Sequence, residues 1–223
     1  MKQRKKIIFS AFLASIVVCA SMTVASVFSP DQPASPKEVL TADLGVDISR
    51  LPIDYLHGSF SIDVSDKDAN VGVADYVFVA RVISDDKTIY KDVVTMEAQA
   101  GGTKQVGDPY TQYTVEVIDN IKGKLKKNQP IQILKYGGIT MDKQSVVVFE
   151  DDEMPQENHY YIFLGLGQPD GSLLVMGPYS NQLLDVASKQ EIVSSSDYTA
   201  YKKAVQNEIK YTRNRFPSIY EDQ

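Results

Sequence analysis

A mainly β body closed into a small barrel, complete or partly open, is expected between residues 60 and 185, with one amphipathic helix behind it and an apolar leader ahead. Three observations predict this arrangement. Short apolar runs of period two recur between turn residues over that stretch. Tyr198, Tyr201, Val205, Ile209, Thr212 and Phe216 then recur at spacings of three and four, the period of a helix with one buried face. Finally, Ile7 to Phe28 carries no charge and follows a basic head, the layout of a signal peptide or an N-terminal anchor helix.

The leader comprises residues 1–28. Its charges (Lys2, Arg4, Lys5, Lys6) are all basic, which holds that end on the cytoplasmic side and puts the body outside. Thr23-Val24-Ala25 offers small residues at both positions a signal peptidase reads, yet the uncharged run is also long enough to span a bilayer. Removal and retention both remain open. Lipidation of Cys19, the one cysteine, is a third route, but Val18 before it suits that pattern poorly, and an apolar cysteine in an apolar segment is the simpler account. Residues 29–38 (SPDQPASPKE) hold three prolines and no apolar period, as a spacer does.

The β-barrel domain is assigned to 39–190, with a weakly patterned lead-in over 39–73 in which Phe60 to Val64 alternates as a short strand. Ala74 to Ser84 (ADYVFVARVIS) starts as a continuous apolar run, as a central strand would. Residues 85–108 are polar and contain Gly101-Gly102 and Gly107, and are expected to form a long excursion between strands, with a small ribbon at Thr88–Tyr90 and Val93–Met96. The next strand, Tyr110 to Ile121, puts Tyr113, Val115 and Val117 on one face and Thr114 and Glu116 on the other. Its alternation breaks at Ile118-Asp119-Asn120-Ile121, as at a bulge, and Lys122-Gly123 ends it where glycine turns most cheaply. Further strands are expected at 130–136, 145–149, 158–166 and 172–176, the last two joined by the turn Gln168-Pro-Asp-Gly171. The C-terminal helix is assigned to 191–217, with Ser194–Ser196 and Asp197 at its start and Pro217 as its stop; 218–223 is a tail.

The segments ADYVFVARVIS, YTQYTVEVIDNIKG at 110–123 and NHYYIFLGL at 158–166, in that order, resemble the bacterial relatives of netrin-like and tissue-inhibitor-of-metalloproteinase-like domains. The likeness is carried by apolar patterns around Ala74-Asp75 and Lys122-Gly123 and covers about half the chain. It implies an OB-like barrel. It does not imply protease inhibition through an N-terminal cysteine, because the only cysteine here lies in the leader, and it transfers no functional residue.

Composition narrows the function. With the four leading basic residues set aside, 23 Lys+Arg fall to 19 against 29 Asp+Glu, a net of −10, and such a body repels phosphate backbones, so nucleic acid is not expected as a partner. No catalytic, cofactor-binding or metal residue is assigned. Asp66-Lys-Asp68-Ala-Asn70 opens like a calcium loop but has Val71 where the turn needs glycine and Val77 where a bidentate Glu should stand, so it reads as a solvated turn. Glu150, Asp151, Asp152, Glu153 and Glu157 read as a solvated acidic loop. His57 and His159 lack partners at ligand spacing. Tyr110, Tyr113, Tyr160, Tyr161 and Tyr179 suit core and cross-strand packing better than ligand stacking. The expectation is an exported, non-enzymatic binding module whose loops 85–109 and 138–158 meet a protein, peptide or glycan at the cell surface. The alternative is a component of an envelope assembly that keeps residues 7–28 in the membrane, with an enzyme as a minor third reading.

Overall fold

The computed structural model describes residues 50–98, 101–175 and 177–222, and the backbone alone of 40–42. These lie in one compact unit, Pro36–Gln223. The leader 1–28 with Cys19, the spacer 29–38 and, within the lead-in, residues 39 and 43–49 fall outside the described residues.

In chain order the elements are β1 (Leu40–Ala42), β2 (Ile53–Leu56), α1 (Lys67–Val73), β3 (Tyr76–Glu97), β4 (Thr103–Lys122), β5 (Pro130–Tyr136), β6 (Gly138–Ile139), β7 (Val146–Phe149), β8 (Tyr160–Gly167), β9 (Leu173–Val175), β10 (Asn181–Leu184) and α2 (Ser196–Gln206). The main sheet runs β1-β3-β4-β5-β9-β8-β10, and β3 also pairs with β8. The strands β3-β4-β5-β9-β8 therefore close a circuit. Within it β5 and β9 run parallel and every other neighbouring pair runs antiparallel. The sequence β8-β3-β4-β5 has the Greek-key order, in which a fourth strand returns beside the first. A second sheet, β2-β7-β6, is formed by the lead-in and by the connection from β5 to β8.

Alternation explains which residues fill the ring. Phe78, Ala80, Val82, Val115, Val117, Ile131, Ile133 and Phe163 meet in one buried cluster inside it, each large side chain contributing about 1.5–3 kcal/mol by leaving water. The opposite face of β3 and β8, carrying Val77, Val79, Ile162 and Leu164, packs against Val71, Tyr198, Tyr201 and Ala204 of the two helices. Both faces of these strands are thus covered, which is why their sequences read as unbroken apolar runs.

The expected bulge is present in the register. Val77 pairs with Lys122 and Phe78 with Asn120, passing over Ile121; Val79 pairs with Asp119 and Ala80 with Val117, passing over Ile118. At the end of β4, Gly123 has φ +86°, and a Cβ there would come within 2.5 Å of Tyr76 Cδ1. Lys122 Nζ donates to Val71 O at 2.8 Å and meets Glu208. Asp75 accepts from Gly167 N–H at 2.9 Å and pairs with Arg213 at 2.6 Å and Arg215 at 2.7 Å. The Ala74-Asp75 and Lys122-Gly123 pairs are therefore ties between the ring, α1 and the C-terminal segment.

Four expectations are corrected. Residues 85–108 are not an excursion, because β3 and β4 continue as a two-stranded arm paired from Val94–Val106 to Glu97–Thr103. Its exposed polar residues hid the strands, whose ladder is backbone alone. Phe60–Val64 forms no strand; Phe60 instead packs edge-on against Phe149, with ring centroids 5.6 Å apart. The solvated turn expected over Asp66–Asn70 is instead the start of α1, where the Asp66 carboxylate caps the helix by accepting from Asp68 N–H at 2.9 Å. The C-terminal helix starts at the expected cap, with Ser195 Oγ accepting from Tyr198 N–H, but it ends at Gln206 instead of reaching Pro217. Beyond it the chain runs against α1: Ile209 N–H donates to Asp68 O at 3.0 Å, and a Cβ on Gly72 would stand 1.9 Å from Ile209 O. That close backbone approach outweighs the helical period of the segment.

Candidate functional site: an acidic cleft beneath the small sheet

The connection from β5 to β8 leaves the ring at Gly137-Gly138 and returns at Asn158. Both glycines have positive φ, and a Cβ on Gly138 would fall 2.5 Å from Thr111 Oγ1. Only glycine lets the small sheet come this close to the main one. The sheet then stands off from β3 and β4 and leaves a cavity of about 670 Å³. Ile53, Ile139, Val148, Met154 and Pro155 form its apolar wall, facing Asp85, Thr88, Thr111 and Tyr113. A second cavity, of about 930 Å³, lies between Tyr55, His57, Glu150, Tyr179, Asn181 and Leu183. The two share Tyr55, Asp152 and Glu153, and so form one two-part cleft.

Its charge is one-sided. Among the described residues Asp85, Glu150, Asp151, Asp152, Glu153 and Glu157 line the cleft, and no Lys or Arg does. Burial, followed by the charge of Glu157, pushes the Asp85 carboxyl above its ordinary value, and the Asp85 N–H donates to Glu157 Oε1 at 3.4 Å. Glu150 Oε2 lies 2.5 Å from His57 Nδ1. Two buried side-chain oxygens among the described residues, Thr88 Oγ1 and Asn181 Oδ1, have no hydrogen-bond partner, and both residues line the cleft. The arrangement offers acceptors and apolar surface and lacks cationic donors, so chemically it suits a ligand with cationic N–H groups next to apolar ones.

Asp152 differs from its neighbours. Its side chain is 2% exposed and pairs with Lys135, which is fully buried. Lys135 also contacts Ser180 Oγ at 3.2 Å and Gly177 O at 3.3 Å, so all three ammonium donors have acceptors. Asp152 Oδ1 accepts from Glu153 N–H at 2.9 Å. Burial pushes the lysine down and the carboxyl up, and their mutual attraction opposes both shifts. The solvated acidic loop expected from the sequence is corrected at this residue: Asp152 anchors the cleft floor inside the ring. One signal for it was legible, since Lys135 has the same parity on β5 as Ile131 and Ile133, both buried.

The other candidates disperse. His57 and His159 have separate partners, Glu150 and the Glu157 carbonyl. Tyr113 and Tyr161 fill the ring, and Tyr110 packs against Tyr136 at 5.1 Å. Tyr160 is half-buried, while Tyr179 is exposed on the cleft rim. Among the described residues no three His, Cys, Asp or Glu side chains converge to hold a metal ion, and no helix is long and apolar enough to cross a membrane. The chain matches no known family model, and no curated protein matches it.

Proposed function

We propose that this chain is an exported, non-enzymatic binding module that captures a ligand at the outer side of a membrane in the cleft beneath its small sheet. The observation that carries the reading is the cleft itself, whose apolar wall and carboxylate rim come mostly from the connection 138–158 on a closed ring of strands. Loops held by such a scaffold are where recognition residues concentrate. Two of its carboxylates already have structural partners, Asp152 in Lys135 and Glu150 in His57. An OB-like, netrin-like barrel is the finer form of the fold in this reading, supported by a ring of five strands in which β8-β3-β4-β5 follow a Greek-key order. The outward location rests on the basic head and the uncharged run 7–28. The same run, if retained, makes the chain an anchored component of an envelope assembly; the mass of the mature N-terminus distinguishes the two.

The test is saturable binding of the purified full-length protein to intact cells, comparing wild type with Tyr55→Ala/Glu153→Arg, both exposed rim positions. At least a ten-fold loss of affinity with an unchanged melting temperature is expected. Equal binding by the folded variant overturns the reading.

A further inference from the structure

Among the described residues β2 is the terminal strand of the small sheet, with no strand paired on its outer edge, and Ile53 and Tyr55 of this strand line the cleft. Val146 N–H donates to Pro52 O at 2.9 Å and Glu150 N–H donates to Leu56 O at 3.0 Å. Strand backbones alternate the direction of their polar groups. The even-numbered residues of β2 therefore point to β7, and the N–H and C=O groups of Ile53 and Tyr55 point away from it. Proteins commonly blunt such edges with a lysine, a proline or a bulge. Here Ile53 and Tyr55 are 50% and 59% exposed, β2 contains no lysine or proline, and both side chains line the cleft.

We propose that the open edge of β2 receives an extended peptide segment carrying lysine or arginine next to apolar residues, which adds as a fourth strand and sends alternate side chains into the cleft. The proposal rests on the binding-module reading and names the ligand class of that site. Main-chain bonding to an edge supplies affinity in this mode, and pockets for alternate side chains supply selectivity. The charge of the occupant follows from complementarity: the carboxylates of Asp85, Glu153 and Glu157 bound the cleft with no cation among its described lining residues, so an anionic segment meets repulsion and a cationic one is steered in. Thr88, 1% exposed with its hydroxyl unpartnered, stands in the wall opposite β2. The apolar stretch Ile53, Ile139, Val148 and Met154 takes the uncharged side chains.

The probe is a fluorescent peptide, acetyl-(Lys-Thr-Val-Thr)2-amide (the Lys-Val peptide), whose alternation puts Lys and Val on one face, titrated into the full-length protein by anisotropy, alongside its counterpart with Glu for Lys (the Glu-Val peptide) and two Lys-Val peptides N-methylated on one or the other alternate set of backbone nitrogens. The Lys-Val peptide is expected to bind at least ten-fold more tightly than the Glu-Val one and to weaken as salt rises. Methylation of one set should cost at least ten-fold, and of the other less than about three-fold, because only one set faces β2. Ile53→Pro removes an N–H that points away from β7, so the ring and small sheet should melt as before while affinity falls at least ten-fold. Binding indifferent to both methylations reduces the interaction to charge alone and overturns the proposal. So does equal binding of the Glu-Val peptide, the absence of binding at millimolar peptide, or a self-associated chain that Ile53→Pro makes monomeric, which would identify a second copy as the occupant. If Tyr55→Ala/Glu153→Arg abolishes cell binding while no peptide binds, the binding-module reading stands and the peptide strand falls.

Discussion

Lys135 and Asp152 form an ion pair inside the ring, with side chains 0% and 2% exposed. The pair joins β5 to the connection that carries the cleft floor, and Ser180 and Gly177 tie the turn before β10 to the same ammonium group. Removing one partner leaves the other buried without compensation, which costs more than the intact pair contributes. Lys135→Met should therefore destabilise the protein by about 3–5 kcal/mol. The double variant Lys135→Met/Asp152→Leu should recover much of that loss. Urea unfolding of the two variants and the wild type checks this, and a double variant no more stable than Lys135→Met would contradict it.

Asp85 gives the cleft a pH dependence. Its folded-state value is raised by burial and by Glu157, so the folded protein resists ionising it. The stability tied to the protonated form is complete below the ordinary Asp value of about 3.9 and is lost as pH rises through the higher folded-state value. Asp85→Asn removes that loss. The urea midpoint of the variant should exceed that of the wild type at pH 7, and the two should converge near pH 3.

Asp75 holds the C-terminal segment in place through Arg213 and Arg215, and its carboxylate also accepts from the Gly167 N–H. Asp75→Ala leaves that N–H without its acceptor, at a cost of about 1–3 kcal/mol. It also frees both arginines from their carboxylate. Trypsin should cut after Arg213 or Arg215 faster in the variant than in the wild type, while the ring stays protected. Cleavage elsewhere first would contradict the assignment.

Gly123→Ala combines a positive φ with a Cβ 2.5 Å from Tyr76 Cδ1. A loss of about 1–3 kcal/mol is expected from the backbone strain alone, read as a lower midpoint in thermal or urea unfolding.

The arm of β3 and β4 separates into two parts. Thr88, Ile89 and Tyr90 are buried, whereas Val94, Met96 and Val106 are exposed. Excising 94–106 and closing the ends with an Asn-Gly turn should shift the melting temperature by only a few degrees. Excising 86–107 should unfold the protein, because it removes the buried residues as well. Circular dichroism of the two deletions checks the division.

The strands around the ring were legible wherever one or both faces are covered. Pro130–Tyr136 was read residue for residue, and the bulge at Ile118 and Ile121 showed as broken alternation. The arm was legible only as a small ribbon at Thr88–Tyr90 and Val93–Met96; both runs lie on β3, and their pairing with β4 was hidden because the outer arm, with most side chains exposed, carries no hydrophobic period. The cleft was legible only as a polar connection with acidic residues. Which of those carboxylates is buried depends on a lysine 17 residues earlier along the chain.

By itself the sequence determined the mainly β character, the inward parity of the ring strands, the glycine that ends β4 and the cap that starts α2. Each follows from local periodicity or from the backbone freedom of one residue. Only the tertiary structure decided that the ring closes through β3 and β8, that helix α2 gives way to a segment laid along α1, and that the small sheet encloses an acidic cleft. Those outcomes depend on pairings between residues distant in the chain, where burial of one side chain is settled by the arrival of another.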